Sequence, residues 1–339
     1  MPDPTYSPTH LQVNSRCLTP PTHLQDDATA ERDPELAELL AEVRRIDVQS
    51  RRLVRDVMSG GYVSVFRGAG LSFDTVREYA EGDDPRTLDW NVTARMGRPF
   101  VKTYVEERER TVFFLLDLSA SMRGGLGLWS ARQTAARVLA CLALSAVKNG
   151  DKVGLVAFRD QVAAYVPPAR GAAHALRIVR DSLALPAEGT SSDPAPALDL
   201  ATRAVRRHAV VFLISDFLQH KGLGAGGAGG AALRRCARRH DLVAVRLLGP
   251  ELDPPAAAGL ARVRDPESGT ELLLDFGSRR VRAAYAARVA SWRAGLDATF
   301  ARARVDVLDM PVPRAPGKNL VAGPILSFFH MREMRGMKR

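Results

Sequence analysis

Asp117-Leu118-Ser119-Ala120-Ser121 closes an apolar run, Phe113 to Leu116, and a second apolar run, Val210 to Ile214, closes on Ser215-Asp216. Carboxylates at the ends of buried strands, together with hydroxyls at alternate positions, make a hard-oxygen donor set. Mg2+ takes such oxygens in near-octahedral geometry at about 2.0 to 2.1 Å, and Mn2+ accepts the same chemistry. Alternation along the first stretch sets Asp117, Ser119 and Ser121 toward one side and turns Leu118 and Ala120 away. Between the two acids in sequence lies Glu188-Gly189-Thr190-Ser191-Ser192-Asp193, a loop just before a helix that can bring a third hydroxyl to the same edge. Read alone, the first stretch is equally a polar turn, since Asp and Ser commonly cap the helix that follows a strand.

The two acids meet only if the strands that carry them are neighbours. From Thr111 onward the pattern alternates strand and helix. Thr111 to Leu116 reads as a strand buried on both faces, followed by a helix from Ser130 to Lys148, strands at Lys152 to Phe158 and Val162 to Val166, and helices at Ala172 to Leu185 and Pro194 to Arg207. Then come a strand at Ala209 to Ser215, a glycine-rich loop at Gly222 to Gly230 leading to a helix, and strands at Leu242 to Leu248 and Glu271 to Leu274. A long helix from Ser278 to Ala301 and a strand at Arg304 to Leu308 close the series. This alternation predicts an α/β fold with a doubly wound, mostly parallel sheet and one antiparallel edge strand, the short Arg159-Asp160-Gln161 link making the hairpin. In such sheets ligands collect at the carboxyl ends of the strands, where the strand order reverses. The helix after the first strand is expected to add N-terminal backbone donors there.

The flanks differ in texture. Residues 1–32, interrupted by Pro2, Pro4, Pro8, Pro20 and Pro21, are predicted to be a disordered tail. Residues 33–61 read as a helix with Leu36, Leu39, Leu40, Val43, Ile46 and Leu53 on one face. Residues 62–110 read as an irregular, arginine- and acid-rich segment of turns and short strands packed on the main domain of residues 111–310, and residues 311–339 as a helical basic tail. Asp83, Asp84 and Asp89 offer a second cation site, but Gly82-Asp83-Asp84-Pro85 is a good turn, and Arg77, Arg86 and Arg95 are close enough to pair with them, so a structural role is preferred.

Several function classes fall away on composition. The longest apolar stretches, Val138 to Val147 and Leu320 to Phe329, are well short of the roughly 20 residues that span a bilayer. With no signal-like N-terminus, a cytoplasmic protein without a membrane span is expected. Cys17, Cys141 and Cys236 are scattered without metal-ligand spacing, which argues against a zinc site or disulfides. The net charge of +10 is carried by 42 Arg against 6 Lys, and clusters such as Arg203, Arg206, Arg207 and Arg234, Arg235, Arg238, Arg239 fall at helical spacing with no interleaved aromatics. They read as solvated helix faces, not a specific nucleic-acid surface.

Asp117, Ser119, Ser121, Thr190 and Asp216 resemble the metal-ion-dependent adhesion site of von Willebrand factor type A domains, D-x-S-x-S with a distant Thr and Asp. The third motif reads Ser-Asp-Phe where adhesion domains commonly have Asp-Gly, which leaves direct and water-mediated contact by Asp216 both open. The stretch REYAEGDDPRTLDWNVTARMGRPFVKTYVEERERTVFFLLDLSASM is similar, more narrowly, to the bacterial domain-of-unknown-function 58 family, in which such a domain follows an arginine- and acid-rich segment. The resemblance implies that these five residues hold Mg2+ or Mn2+. It also implies a non-catalytic protein-interaction module whose partner donates an Asp or Glu to the metal, the partner being a MoxR-type AAA+ ATPase with which it acts in assembly or activation of other proteins. The alternative is a metal-dependent, phosphatase-like hydrolase at the same acids. Against it, Ser119 stands where haloacid-dehalogenase phosphatases carry their second Asp, Ser121 lies in no G-x-S-x-G elbow, and the chain has no P-loop.

Overall fold

The computed structural model describes residues 71–80, 83–84, 88–106, 110–186, 192–218, 222–224, 226–253, 256–265 and 268–337. The expected tail (1–32), the helix of 33–61, Cys17 and Thr190 lie outside the described residues.

The first described elements form a two-stranded sheet separate from the main one. Strands β1 (Leu71–Glu78) and β2 (Phe100–Glu106) pair antiparallel around the short helix α1 (Trp90–Met96). Asp89 caps α1, its carboxylate accepting the N–H groups of Asn91 and Val92, and Gly97 ends it at φ +68°, a conformation glycine adopts without steric cost. Arg77 forms a two-pronged pair with Asp83 at 2.8 and 2.6 Å. Asp89 and Asp83 thus take the structural roles expected of them.

The main domain is a six-stranded sheet in the order β10-β7-β6-β3-β4-β5. Its strands are β3 (Thr111–Asp117), β4 (Lys152–Phe158), β5 (Val162–Ala169), β6 (Val210–Ser215), β7 (Asp241–Leu248) and β10 (Asp306–Pro311). All neighbours run parallel except β4 and β5, so the doubly wound sheet with one antiparallel edge is as expected. The chain enters at the centre, winds out to β5, then returns to β6 on the other side of β3. The strand order therefore reverses between β3 and β6.

Helices cover both faces because the central strands are apolar at every position. Val112, Phe114 and Leu116 of β3 face α2 (Ala131–Lys148), α3 (Ala172–Ala184) and α7 (Ala322–Met337). Phe113 and Leu115 face α4 (Ala195–Ala204), α5 (Ala228–Arg239) and α6 (Arg279–Ala303). Each fully buried Leu, Ile, Val or Phe stabilises the fold by about 1.5–3 kcal/mol over its exposed state, so this two-sided core is what holds the sheet. Within the segment read as a basic tail, α7 buries Ile325, Phe328 and Phe329 in the same core.

Local differences from expectation have local causes. Helix α5 starts inside the glycine-rich stretch, because a Cβ on Gly230 would lie 2.6 Å from the Gly224 carbonyl oxygen and only glycine lets the loop pack on the helix. Helix α4 stops at Ala204, where Val205 turns extended and buries its side chain. Strand β10 begins two residues late because Arg304 caps α6 in the left-handed conformation, φ +57°. The strand at Glu271 lies outside the main sheet: β9 (Glu271–Asp275) pairs antiparallel with β8 (Leu260–Arg264), a separate hairpin exposing Leu260, Leu272 and Leu273. Arg203, Arg206, Arg238 and Arg239 are exposed at the ends of α4 and α5, as solvated helix faces would be.

Cys141 and Cys236 are free and buried, and burial pushes their thiols up to about 12 and about 11, which suits inert core residues. His240, buried before β7, accepts the Ala209 N–H at its Nδ1 (3.3 Å). Burial first, then the positive charges of Arg239 and His208, lower its pKa to about 4. The unfolded chain therefore takes up a proton near pH 6.5 that the folded chain refuses until about pH 4. This contribution to stability is complete above pH 6.5 and is lost as pH falls toward 4. Thermal melts of wild type and His240→Asn across this window are expected to diverge, the variant losing less stability on acidification; parallel profiles contradict the assignment.

Candidate metal centre

The two acids arrive at the reversal of strand order. Leu116 of β3 is in register with Ile214 of β6, so Asp117 and Ser215 are the next pair along these parallel strands, and Asp216 follows immediately. Asp117, Ser119 and Asp216 are all buried. The loop after β3 is held against β4, where the Leu118 N–H meets the Phe158 carbonyl at 2.8 Å. Asp193 lies at this edge too: its N–H donates to the Arg159 carbonyl at 2.8 Å, one residue beyond Phe158. Asp193 then turns its carboxylate to the Ala195 N–H at the start of α4.

Within the first loop the Ser119 N–H donates to Asp117 Oδ1 at 2.8 Å, and the hydroxyls of Ser119 and Ser121 lie 3.1 Å apart. Leu118 is fully buried, so the alternation turns the donors one way and the apolar side chain into the core. Ser119 precedes a single 3-10 turn, Ala120–Arg123, yet its side chain makes no capping hydrogen bond. Asp117, by accepting the N–H two residues on, makes the Asx turn that the polar-turn reading expects, whereas the Ser119 hydroxyl takes no part in it. The expected help from helix α2 is not seen, because α2 starts only at Ala131 and its end is closed by a capping box between Ser130 and Gln133. The Ser130 hydroxyl takes the Gln133 N–H, and the Gly124 carbonyl takes the Ala131 N–H at 3.4 Å.

At the second strand end, Asp216 Oδ1 accepts the Leu218 N–H at 3.0 Å. Ser215 Oγ donates to Asp117 Oδ2 at 2.7 Å and accepts the Phe217 N–H at 2.9 Å. Phe217 has φ +56°, a left-handed conformation that costs a non-glycine residue about 1–2 kcal/mol. Phenylalanine thus occupies the conformation a glycine would take in an Asp-Gly turn. Its buried ring sits edge-on to Phe300 at 5.2 Å, and its carbonyl accepts Trp292 Nε1–H at 3.0 Å, both from α6.

A polar row continues across the sheet. Arg246 of β7 lies between Ser215 and Asp309 in register and is 2% exposed. Its guanidinium reaches Asp309 at 2.7 and 3.1 Å and Asp297 at 2.8 Å. Burial works against its charge, but the hydrogen bonds and charges of the two acids outweigh that and raise its pKa. The sequence reading missed Ser215, Phe217 and Arg246. The signal for Arg246 was a lone cation inside the apolar LVAVRLL.

Among the described residues no three His, Cys, Asp or Glu side chains gather, so a cation here depends on two carboxylates and on hydroxyls. The two serine hydroxyls, hydrogen-bonded at 3.1 Å, are also at about the 3 Å spacing of neighbouring oxygens in an Mg2+ octahedron, so this part of the donor set is compatible with that demand.

The strand order and its single antiparallel edge define a doubly wound, mostly parallel α/β domain. Residues 75–295 match the family described as "Protein of unknown function DUF58", and the chain belongs to that family. It is 29% identical over 295 residues, 85% of this chain and 89% of theirs, to uncharacterized proteins of Mycobacterium tuberculosis and Mycobacterium bovis. Similar solved structures include BatB of Bacteroides thetaiotaomicron, at 16% identity and a TM-score of 0.41 over 66% of this chain and 99% of that one. The SpRpn10 VWA domain matches at 12% identity and a TM-score of 0.36, over 64% and 94%. No helix among the described residues is long and apolar enough to cross a membrane.

Proposed function

We propose that the strand-end cluster holds Mg2+ or Mn2+ through Asp117, Ser119, Ser121 and Asp216, with Thr190 as a further hydroxyl, and that a partner's Asp or Glu completes the metal shell. The observation that carries this reading is the Ser119 hydroxyl, on a buried residue and without a capping role, set 3.1 Å from that of Ser121 in the loop whose Ser119 N–H donates to the Asp117 carboxylate. The protein is then an adaptor, with a MoxR-type AAA+ ATPase as its companion. The family resemblance supplies that partner; the residues supply only the carboxylate chemistry by which it docks.

Calorimetric titration with Mg2+ tests the donor set, and retention of the MoxR-type ATPase from the same genome on the immobilised full chain tests the partner. Wild type is expected to bind Mg2+ and to retain the ATPase in Mg2+ but not in EDTA, and Ser119→Ala to lose both. Turnover of generic phosphate or carboxylic esters in Mg2+ or Mn2+, abolished by Asp117→Ala, would overturn the adaptor reading in favour of a metal-dependent hydrolase.

A further inference from the structure

We propose that Ser215, which lies outside the five-residue donor set, is the positioning residue that joins Asp117 and the Asp216 turn into one site. The inference rests on the metal reading above and adds what holds its donors in register. Ser215 is the last residue of β6 and is fully buried. A hydroxyl has one proton to donate and lone pairs to accept with, and this one uses both abilities, donating across the strand boundary to Asp117 Oδ2 and accepting from the Phe217 N–H.

Each bond constrains a different acid. Asp117 Oδ1 is engaged from its own loop by the Ser119 N–H, and Oδ2 from the neighbouring strand by Ser215, so the plane of the carboxylate is set by two elements that do not move independently. The bond from the Phe217 N–H closes a tight turn around Asp216, in which Phe217 is left-handed, and this fixes the direction in which the Asp216 side chain leaves the strand. The register places Ser215 between Asp117 on one side and the ion-paired Arg246 on the other, on the face covered by α4, α5 and α6. Hydrogen-bond partners that orient ligating carboxylates typically change metal affinity roughly 10- to 100-fold when removed. A purely structural serine would alter stability and leave affinity alone.

The test is Mg2+ and Mn2+ titration calorimetry, with the Mn2+ paramagnetic resonance spectrum as a second readout, on full-length wild type, Ser215→Ala and Ser215→Thr, alongside thermal melts in EDTA. Ser215→Ala is expected to bind Mg2+ roughly 10- to 100-fold more weakly and to broaden the Mn2+ signal, and Ser215→Thr, which keeps the hydroxyl, to restore both. If Ser215→Ala does not fold, Ser215→Cys carries the same expectation, since a thiol keeps the volume but is a weak donor. Equal affinity in wild type and the alanine or cysteine variant overturns the positioning role and leaves the metal reading intact. Failure of wild type to bind either metal overturns both.

Discussion

Arg246→Ala is expected to lower the free energy of unfolding by about 3 kcal/mol, the low end of the range for removing one partner of a buried ion pair. The guanidinium is almost wholly buried, so its removal opens space in the core face of β7 and strips three charge-assisted hydrogen bonds from Asp309 and Asp297. The low end applies because these acids keep 35% and 54% of their side-chain surface exposed and Arg293 still holds Asp309, so water and a second cation take up part of the loss. Arg246→Met, which fills most of the volume, is expected to cost less than the alanine variant. Urea denaturation measures both; a loss below about 1 kcal/mol for Arg246→Ala would mean that the pair is no stronger than an ordinary surface bridge.

The second large effect is expected at Phe217, where two terms oppose each other. Truncating a buried phenylalanine costs about 3–5 kcal/mol through lost burial and the cavity left behind, and Phe217→Ala should fall in that range because its ring is 2% exposed and packed on Phe300. Alanine keeps the strain of φ +56°, whereas glycine releases it. Phe217→Gly is therefore expected to be more stable than Phe217→Ala by about 1 kcal/mol, the reverse of the usual order in regular structure. Urea midpoints of the two variants decide the matter. If alanine proves the more stable, the left-handed turn is not strained, and the role of the ring in holding it against α6 falls with it.

Most of the sheet was legible because its physics is local. A strand buried on both faces must be apolar at every position, so Phe113 to Leu116 and Val210 to Ile214 declared themselves, and the acids that end them could be read as strand-end groups. Helix α2 was read from Ser130, and the structure closes that start with a capping box to Gln133. What the sequence could not determine depends on register between strands far apart in the chain. Ser215 faces Asp117 only because β6 pairs with β3, and the two are 98 residues apart. Arg246 finds Asp309 on β10, and an isolated reading of LVAVRLL has no means of knowing which acid will satisfy the charge. Of the β8–β9 hairpin only β9 was read; its partner LARVR alternates over too few residues to stand out, and with most of its positions exposed no core face dictates a longer pattern. The left-handed Phe217 was hidden for a further reason. Backbone conformation at φ above zero is ordinarily announced by glycine, and here packing against Phe300 and Trp292, contributed by a helix about 80 residues away, holds a phenylalanine in its place.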